Sequence, residues 1–300
     1  MVYNVYMYIL KDVITVWKQP LCINLVKGLN LDPIEQLRLI KQTGFDGFFD
    51  VWKEPGQLDA LAAEAEKLGL LFQSIHAPFG KARKMWLEGE EGEIALQELL
   101  NCLLDCSRLQ VPIMVIHSYI GFDIEAPTEI GVQRYGRVIE EAGKCNVKIA
   151  IENVEGEEHL DLLLKTYGHL PHVGFCWDTG HEMCYNHHQD MLAKYGDKLI
   201  ATHINDNLGI SNIDGIIAPT DDLHLLPFDG IGNWDDIAAR LNRCGFNGPL
   251  TFELSVSPKR GRHDNDIYAQ MPPEQFLCLA YARACRVAAK RGIYGLSSHY

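Results

Sequence analysis

The sequence predicts a single (β/α)8 barrel of the TIM type. Eight short apolar runs alternate with eight longer amphipathic stretches between Leu21 and Ala289, the pattern of βα units on a parallel sheet. The chain has 300 residues, and a barrel of this kind takes about 250. Finally, six of the apolar runs end on an imidazole or a carboxylate. Residues 1–300 read as one domain, with 1–20 as an N-terminal extension and the barrel core at about 21–290. An open doubly wound sheet would put a glycine-rich turn after the first strand. Val26–Asp32 (VKGLNLD) has no GxGxxG.

The expected strands are Cys22–Val26, Gly47–Val51, Leu71–His76, Ile113–His117, Lys148–Glu152, Val173–Asp178, Leu199–Asn205 and Pro249–Leu254. Asp32 followed by Pro33 opens the first helix, to Thr43, since a short acid can cap and Pro suits the first turn. The other helical stretches are Leu58–Leu68, Glu91–Leu109, Val132–Cys145, Glu158–Tyr167, Glu182–Tyr195, Trp234–Cys244 and Pro273–Lys290. Gly44 and Gly69 sit where helix ends favour glycine. Two strand-to-helix connections are long, Asp206–Asn233 and Ser255–Pro272, and long loops on one barrel rim are usually functional.

A formal net charge of −13 argues against a nucleic-acid partner, because nucleic-acid binders carry a basic face. Nine scattered cysteines without a CxxC pair read as reduced thiols of a cytoplasmic protein. No run of about 18 apolar residues predicts a membrane span. Met1–Lys18 lacks the basic start and small-residue cleavage site of a signal peptide.

The strand ends carry the chemistry. They present His76, His117, Glu152, Asp178, His203 and Glu253, with His181 just beyond Asp178. In a parallel barrel these ends converge on one rim. Packed carboxylates repel one another, and a divalent cation offsets that repulsion. Mixed imidazole and carboxylate ligands suit zinc, manganese, cobalt or iron; carboxylates and water alone favour magnesium. The bland alternative is a hydrogen-bonded structural histidine or a solvated rim acid at each position. His159, His169, His172, His187, His188, His263 and His299 fall in helices, loops or the tail and read as surface groups. Cys176 and Cys184 read as core or rim thiols.

With these pieces in place, the sequence resembles the xylose isomerase-like barrel superfamily from about Cys22 to Arg286. The resemblance is carried by SIHAP at His76, VIHS at His117, IAIENVEG at Glu152, CWDTGH at Asp178 and His181, THIND at His203, DLHLLPFDGIGNWDDI at His224 and TFELS at Glu253. It implies one divalent metal held by Glu152, Asp178, His203 and Glu253, with Glu152 and Glu253 as a catalytic acid/base pair in an isomerase or epimerase. The superfamily also includes the endonuclease IV type of apurinic-site endonuclease. Resemblance to that branch implies additional metal positions at His76, His117, His181, Asp222 and His224, so the expected count is one to three ions per chain. A small carbohydrate is the implied substrate. The alternatives carried forward are a multi-zinc phosphodiesterase and a non-catalytic sugar-binding barrel.

The loop after the eighth strand adds Lys259, Arg260 and Arg262 around Gly261. Phosphates are often bound near the last two loops of such barrels, so these cations are expected to grip a sugar phosphate or carboxylate, or else to form a solvated basic loop. Trp52, Phe79, Trp86 and Tyr119 follow strand ends and either stack on a sugar or roof the barrel. The helix faces allow a homo-oligomer, with no specific patch to mark it.

Overall fold

The computed structural model describes residues Gln19–Arg291. The expected extension before Gln19, and His299, lie outside the described residues. Eight parallel strands form the sheet: β1 (Leu21–Asn24), β2 (Gly47–Val51), β3 (Leu71–His76), β4 (Ile113–His117), β5 (Lys148–Glu152), β6 (Val173–Asp178), β7 (Leu199–His203) and β8 (Leu250–Phe252). Their order is β7-β6-β5-β4-β3-β2-β1-β8. The β7–β8 seam closes through one parallel bridge, Ile204 with Phe252. There Ile204 N–H donates to Thr251 O at 2.8 Å, Glu253 N–H donates to Ile204 O at 3.1 Å, and the Thr202 hydroxyl accepts the Thr251 N–H at 3.1 Å. The barrel is therefore nearly closed, as the alternating pattern predicts.

The helices are α1 (Pro33–Thr43), α2 (Asp59–Leu68), α3 (Glu90–Arg108), α4 (Glu129–Cys145), α5 (Glu157–Tyr167), α6 (Thr179–Cys184), α7 (Met191–Tyr195), α8 (Trp234–Arg243), α9 (Asp266–Ala269) and α10 (Pro273–Lys290). Asp32 caps α1 by accepting the Ile34 N–H at 2.9 Å, and Gly44 ends that helix at φ 110°. Such a cap satisfies amides that the first turn leaves unpaired. Helix α4 starts three residues before the predicted point, because Thr128 accepts the Gly131 N–H.

The predicted helix Glu182–Tyr195 is two short helices instead. His187 and His188 sit in the left-handed region between α6 and α7 (φ 53° and 58°). Glu182 stabilises the break by accepting the Met191 N–H at 3.1 Å, the Trp177 indole at 2.8 Å and Arg240 at 2.7 Å. A residue pattern of helical period cannot report a carboxylate folded back onto its own chain. Strands β1, β7 and β8 are also shorter than predicted; bridges and loops take over beyond them.

Side-chain alternation sets the mouth. Successive strand residues face opposite sides, so the residue two before each rim group lies one layer deeper in the barrel. Val115, Ala150, Cys176 and Ala201 form such a layer beneath His117, Glu152, Asp178 and His203. Register pairs His117 with Glu152 and Asp178 with His203, so those side chains share the inner face. All nine cysteines are free. Among the described residues no helix is long and apolar enough to cross a membrane.

Candidate metal centre at the barrel mouth

Glu152 is the hub. Its Oε2 lies 3.2 Å from His76 Nε2 and 3.4 Å from His117 Nε2. Its Oε1 lies 3.0 Å from His203 Nδ1 and 3.4 Å from His181 Nδ1. His203 Nδ1 is also 3.0 Å from Glu253 Oε2. Asp178 caps α6 by accepting the His181 N–H at 2.6 Å, and its other oxygen accepts from Asn205 Nδ2 at 3.0 Å. Each Asp178 oxygen keeps a lone pair beyond these bonds. Phe49 stacks on His203 with ring centroids 4.7 Å apart, fixing the imidazole plane.

Three histidines are oriented alike. Nδ1–H donates to a backbone carbonyl in His76 (Ala77 O, 2.8 Å), His181 (Asn153 O, 3.0 Å) and His224 (Glu253 O, 3.2 Å). That bond fixes the tautomer and leaves Nε2 as a lone-pair donor, the arrangement typical of metal-ligating imidazoles. In each case Nε2 points at a carboxylate: Glu152 for His76, and Asp222 for His181 (3.6 Å) and His224 (2.8 Å).

Burial opposes every charge in this cluster. It pushes Asp178 up to about 6, against His181 and with Glu152. Burial would also raise Glu152, but His203, His117 and His181 hold it well below the usual carboxylate range. Burial is likewise outweighed at Glu253, which His203 and His224 hold at about 2. His203 is pulled well above the usual imidazole range by Glu152 and Glu253, although burial alone would keep it neutral. His117 goes the other way, with burial pushing it below the ordinary value. The carboxylates thus demand positive charge that imidazoles alone supply only by taking up protons.

The donor set fits one divalent ion. One ligand atom from each of Glu152, Asp178, His203 and Glu253 lies within 4.8 Å of the others. Zinc holds nitrogen and oxygen at about 2.0–2.2 Å, so atoms on opposite sides of one ion stand up to about 4.4 Å apart, and these side chains would need to draw in by at most a few tenths of an ångström to share one. His203 Nδ1 faces two carboxylate oxygens yet carries at most one proton, which a shared cation would resolve. Two further sets satisfy the same distance criterion, His76/Glu152/His203 and His181/Asp222/His224. His117 joins the cluster through Glu152 but belongs to none of the three sets.

The expected substrate contacts fare differently. Trp52 is buried, and its indole N–H donates to Asp105 on α3 at 2.8 Å; it packs in the core and offers no face at the mouth. Trp86 and Tyr119 are buried as well, whereas Phe79 stays partly exposed and stacks on His117 at 4.5 Å. The basic loop is largely neutralised. Lys259 reaches Asp222 at 3.0 Å, and Arg262 reaches Asp264 at 2.8 Å and Asp221 at 3.3 Å. Among the described residues Arg260 is exposed and without an acid partner. The reading of His159 as a surface group is corrected: it is fully buried, stacked on Tyr119 at 4.2 Å.

Sequence reasoning missed the supports. Asp206 is buried and accepts four N–H donors at 2.9 Å each: the backbone of Asn207, Gly232 and Phe228 and the Trp234 indole. It staples both ends of the β7–α8 loop. Asp221 accepts from Ser211 and Ala218 within that loop. The buried Asn153 donates to Asp178 O and accepts the Asp178 N–H. Asp206 lies inside THIND, but a single acid after a strand carries no mark of four donors folding back on it.

Fold and mouth together define a (β/α)8 barrel with an acid-and-imidazole cluster at the carboxyl ends of its strands. Residues 37–272 match the family model described as "Xylose isomerase-like TIM barrel", and the chain belongs to that family. A curated relative, uncharacterized protein y4fM of Sinorhizobium fredii, is 37% identical over 117 residues, 37% of this chain and 34% of that protein. Another, named probable endonuclease 4, of Methanoculleus marisnigri, is 26% identical over 176 residues, 54% of this chain and 61% of that protein. The match thus spans about a third of one relative's length and under two thirds of the other's. Among solved structures, the IOLI protein with a zinc atom superposes with a TM-score of 0.70 at 18% identity, covering 91% of this chain and 99% of that one. D-psicose 3-epimerase with D-tagatose, from Clostridium cellulolyticum H10, gives 0.66 at 17% identity, with 91% and 99% covered. L-ribulose 3-epimerase gives 0.67 at 15%, with 94% and 100% covered.

Proposed function

We propose that the chain is a metal-dependent isomerase or epimerase of a small sugar or keto-polyol. The reading is carried by one observation: Glu152 from β5 and Glu253 beyond β8 approach the same His203 nitrogen from different strands, each at 3.0 Å. Glu152, Asp178, His203 and Glu253 would hold the ion. When bound, it supplies Lewis acidity that makes a C–H beside a substrate carbonyl acidic. The side chains do the rest. One carboxylate takes the carbon-bound proton and the other returns one to the carbon. His203, stacked on Phe49, keeps the two acids apart and aligned.

The surroundings favour a substrate without phosphate. Lys259 and Arg262 are already paired with acids, which leaves Arg260 as the one unpaired cation of that basic run among the described residues. A hollow of roughly 340 Å³ includes Tyr185, which stacks on His181, together with Phe122, Ile124, Ile216 and three glutamates, Glu155, Glu157 and Glu158; it has no lysine or arginine in its wall. Such an acidic, partly apolar wall disfavours a phosphate and suits a hydroxyl-bearing molecule without negative charge.

A hydrolase reading draws support from the His181/Asp222/His224 set and from the relative named probable endonuclease 4. Against it, Lys81, Arg83 and Lys84 each pair with an acid, which leaves little free basic surface for a phosphate backbone. Incubation with Mn²⁺ in D₂O and a panel of ketoses and keto-polyols tests the proposal. Deuterium is expected at carbon beside the carbonyl of at least one. No exchange across the panel, with cleavage of abasic DNA, would overturn it.

A further inference from the structure

We infer that the Lys259 ammonium takes the place of a second metal ion at the His181/Asp222/His224 set and restricts the chain to one ion. This rests on the reading above that the Glu152 set holds the metal.

The three side chains meet the distance requirement for a metal site. His181 and His224 each have Nδ1 tied to a carbonyl, so Nε2 is available toward Asp222. Asp222 is buried, and its Oδ1 has no hydrogen-bond partner. By donor type and tautomer the set could hold an ion. Charge decides otherwise. Asp222 is its only carboxylate, and Lys259 Nζ lies 3.0 Å from Oδ2, the oxygen His224 Nε2 also approaches at 2.8 Å. With its imidazoles unprotonated, as ligation would require, the set is therefore already neutral before any ion arrives. An ion there would face a fixed positive charge within a few ångströms, in a half-buried setting that screens poorly. In contrast, the Glu152 set has three carboxylates, and among the described residues none bonds to a lysine or arginine.

The lysine is held in place by the loop it rides on. Arg262, three residues on, clasps Asp221 beside Asp222. Asn265 donates to Leu223 O at 3.0 Å and to Ser255 O at 2.8 Å, tying the β8 loop to the β7 loop. Two cations of one loop thus grip two successive acids of the other.

Elemental analysis after zinc loading and desalting gives the count per chain. Wild type is expected to hold one zinc, Lys259→Met two, and Lys259→Arg, which keeps the charge, one. Cobalt titration followed by visible absorption is expected to show a second saturating phase only in Lys259→Met. A count of one in a folded Lys259→Met, or of two or none in wild type, overturns the inference. Failure of deuterium exchange would sink the proposed reaction and leave these counts unaffected.

Discussion

Two clusters share the barrel mouth, and they differ in how their charge is met. At Glu152, Asp178, His203 and Glu253, two buried acids and one half-buried acid face imidazoles and amides, with no lysine or arginine hydrogen-bonded to them. At His181, Asp222 and His224, one acid meets two imidazoles and the Lys259 ammonium. Both use side-chain types that can ligate metals, and both bring one ligand atom from each within 4.8 Å of the others. The difference teaches that donor type and distance do not by themselves make a metal site. The unbalanced charge left after the protein's own cations are counted decides whether an ion is attracted.

The largest way to break this comparison is to remove an acid. Glu253→Gln is expected to lower the deuterium-exchange rate by roughly 10²–10⁴-fold, the usual contribution of a positioned acid or base. His224→Ala, in the other cluster, is expected to cost less than about tenfold by the same yardstick. Equal losses in the two would erase the distinction between the clusters.

A middle-sized effect comes from the support. Asp206 staples the loop that carries Asp222 and His224 but does not touch the Glu152 set. Asp206→Ala leaves buried donors unpaired and is expected to destabilise the fold by about 2–4 kcal/mol, read from urea unfolding. A change under about 0.5 kcal/mol would show that the loop does not need its staple.

The smallest effect sharpens the comparison from outside both clusters. Asp50, at the end of β2, is pushed up to about 6 by burial, only partly offset by the Val51 N–H and Lys53. A folded value above the unfolded one means the native state binds more protons in between. Stability is then lost as pH rises from about 4 to 6, and the cost persists above. Asp50→Asn is expected to raise stability at pH 7 by about 1–3 kcal/mol and to change little at pH 3.5. An unchanged melting temperature at both pH values would count against a buried charge at this position.

Much of the rim was legible in one dimension. His76, His117, Glu152, Asp178, His203 and Glu253 each terminate or closely follow an apolar strand, and a parallel barrel brings such ends together whatever the details between them. Asp222 and His224 entered only through the resemblance, since a loop has no periodicity to read. Trp52 illustrates the opposite failure. It follows a strand end like the others, but its indole turned outward to Asp105, and alternation over one extra residue reverses the face.

The alternating apolar pattern and the polar strand ends determined by themselves that this chain closes into a barrel with acids and imidazoles at one mouth. Period and order along a chain carry that information, because each strand solves the same local burial problem. Only the tertiary structure decided which charges are already compensated. Lys259 and Asp222 are 37 residues apart in sequence, and their pairing depends on two loops meeting above the barrel. Such loops are held by individual bonds, Asp206 to Trp234 and Asn265 to Leu223 among them, rather than by any repeating pattern.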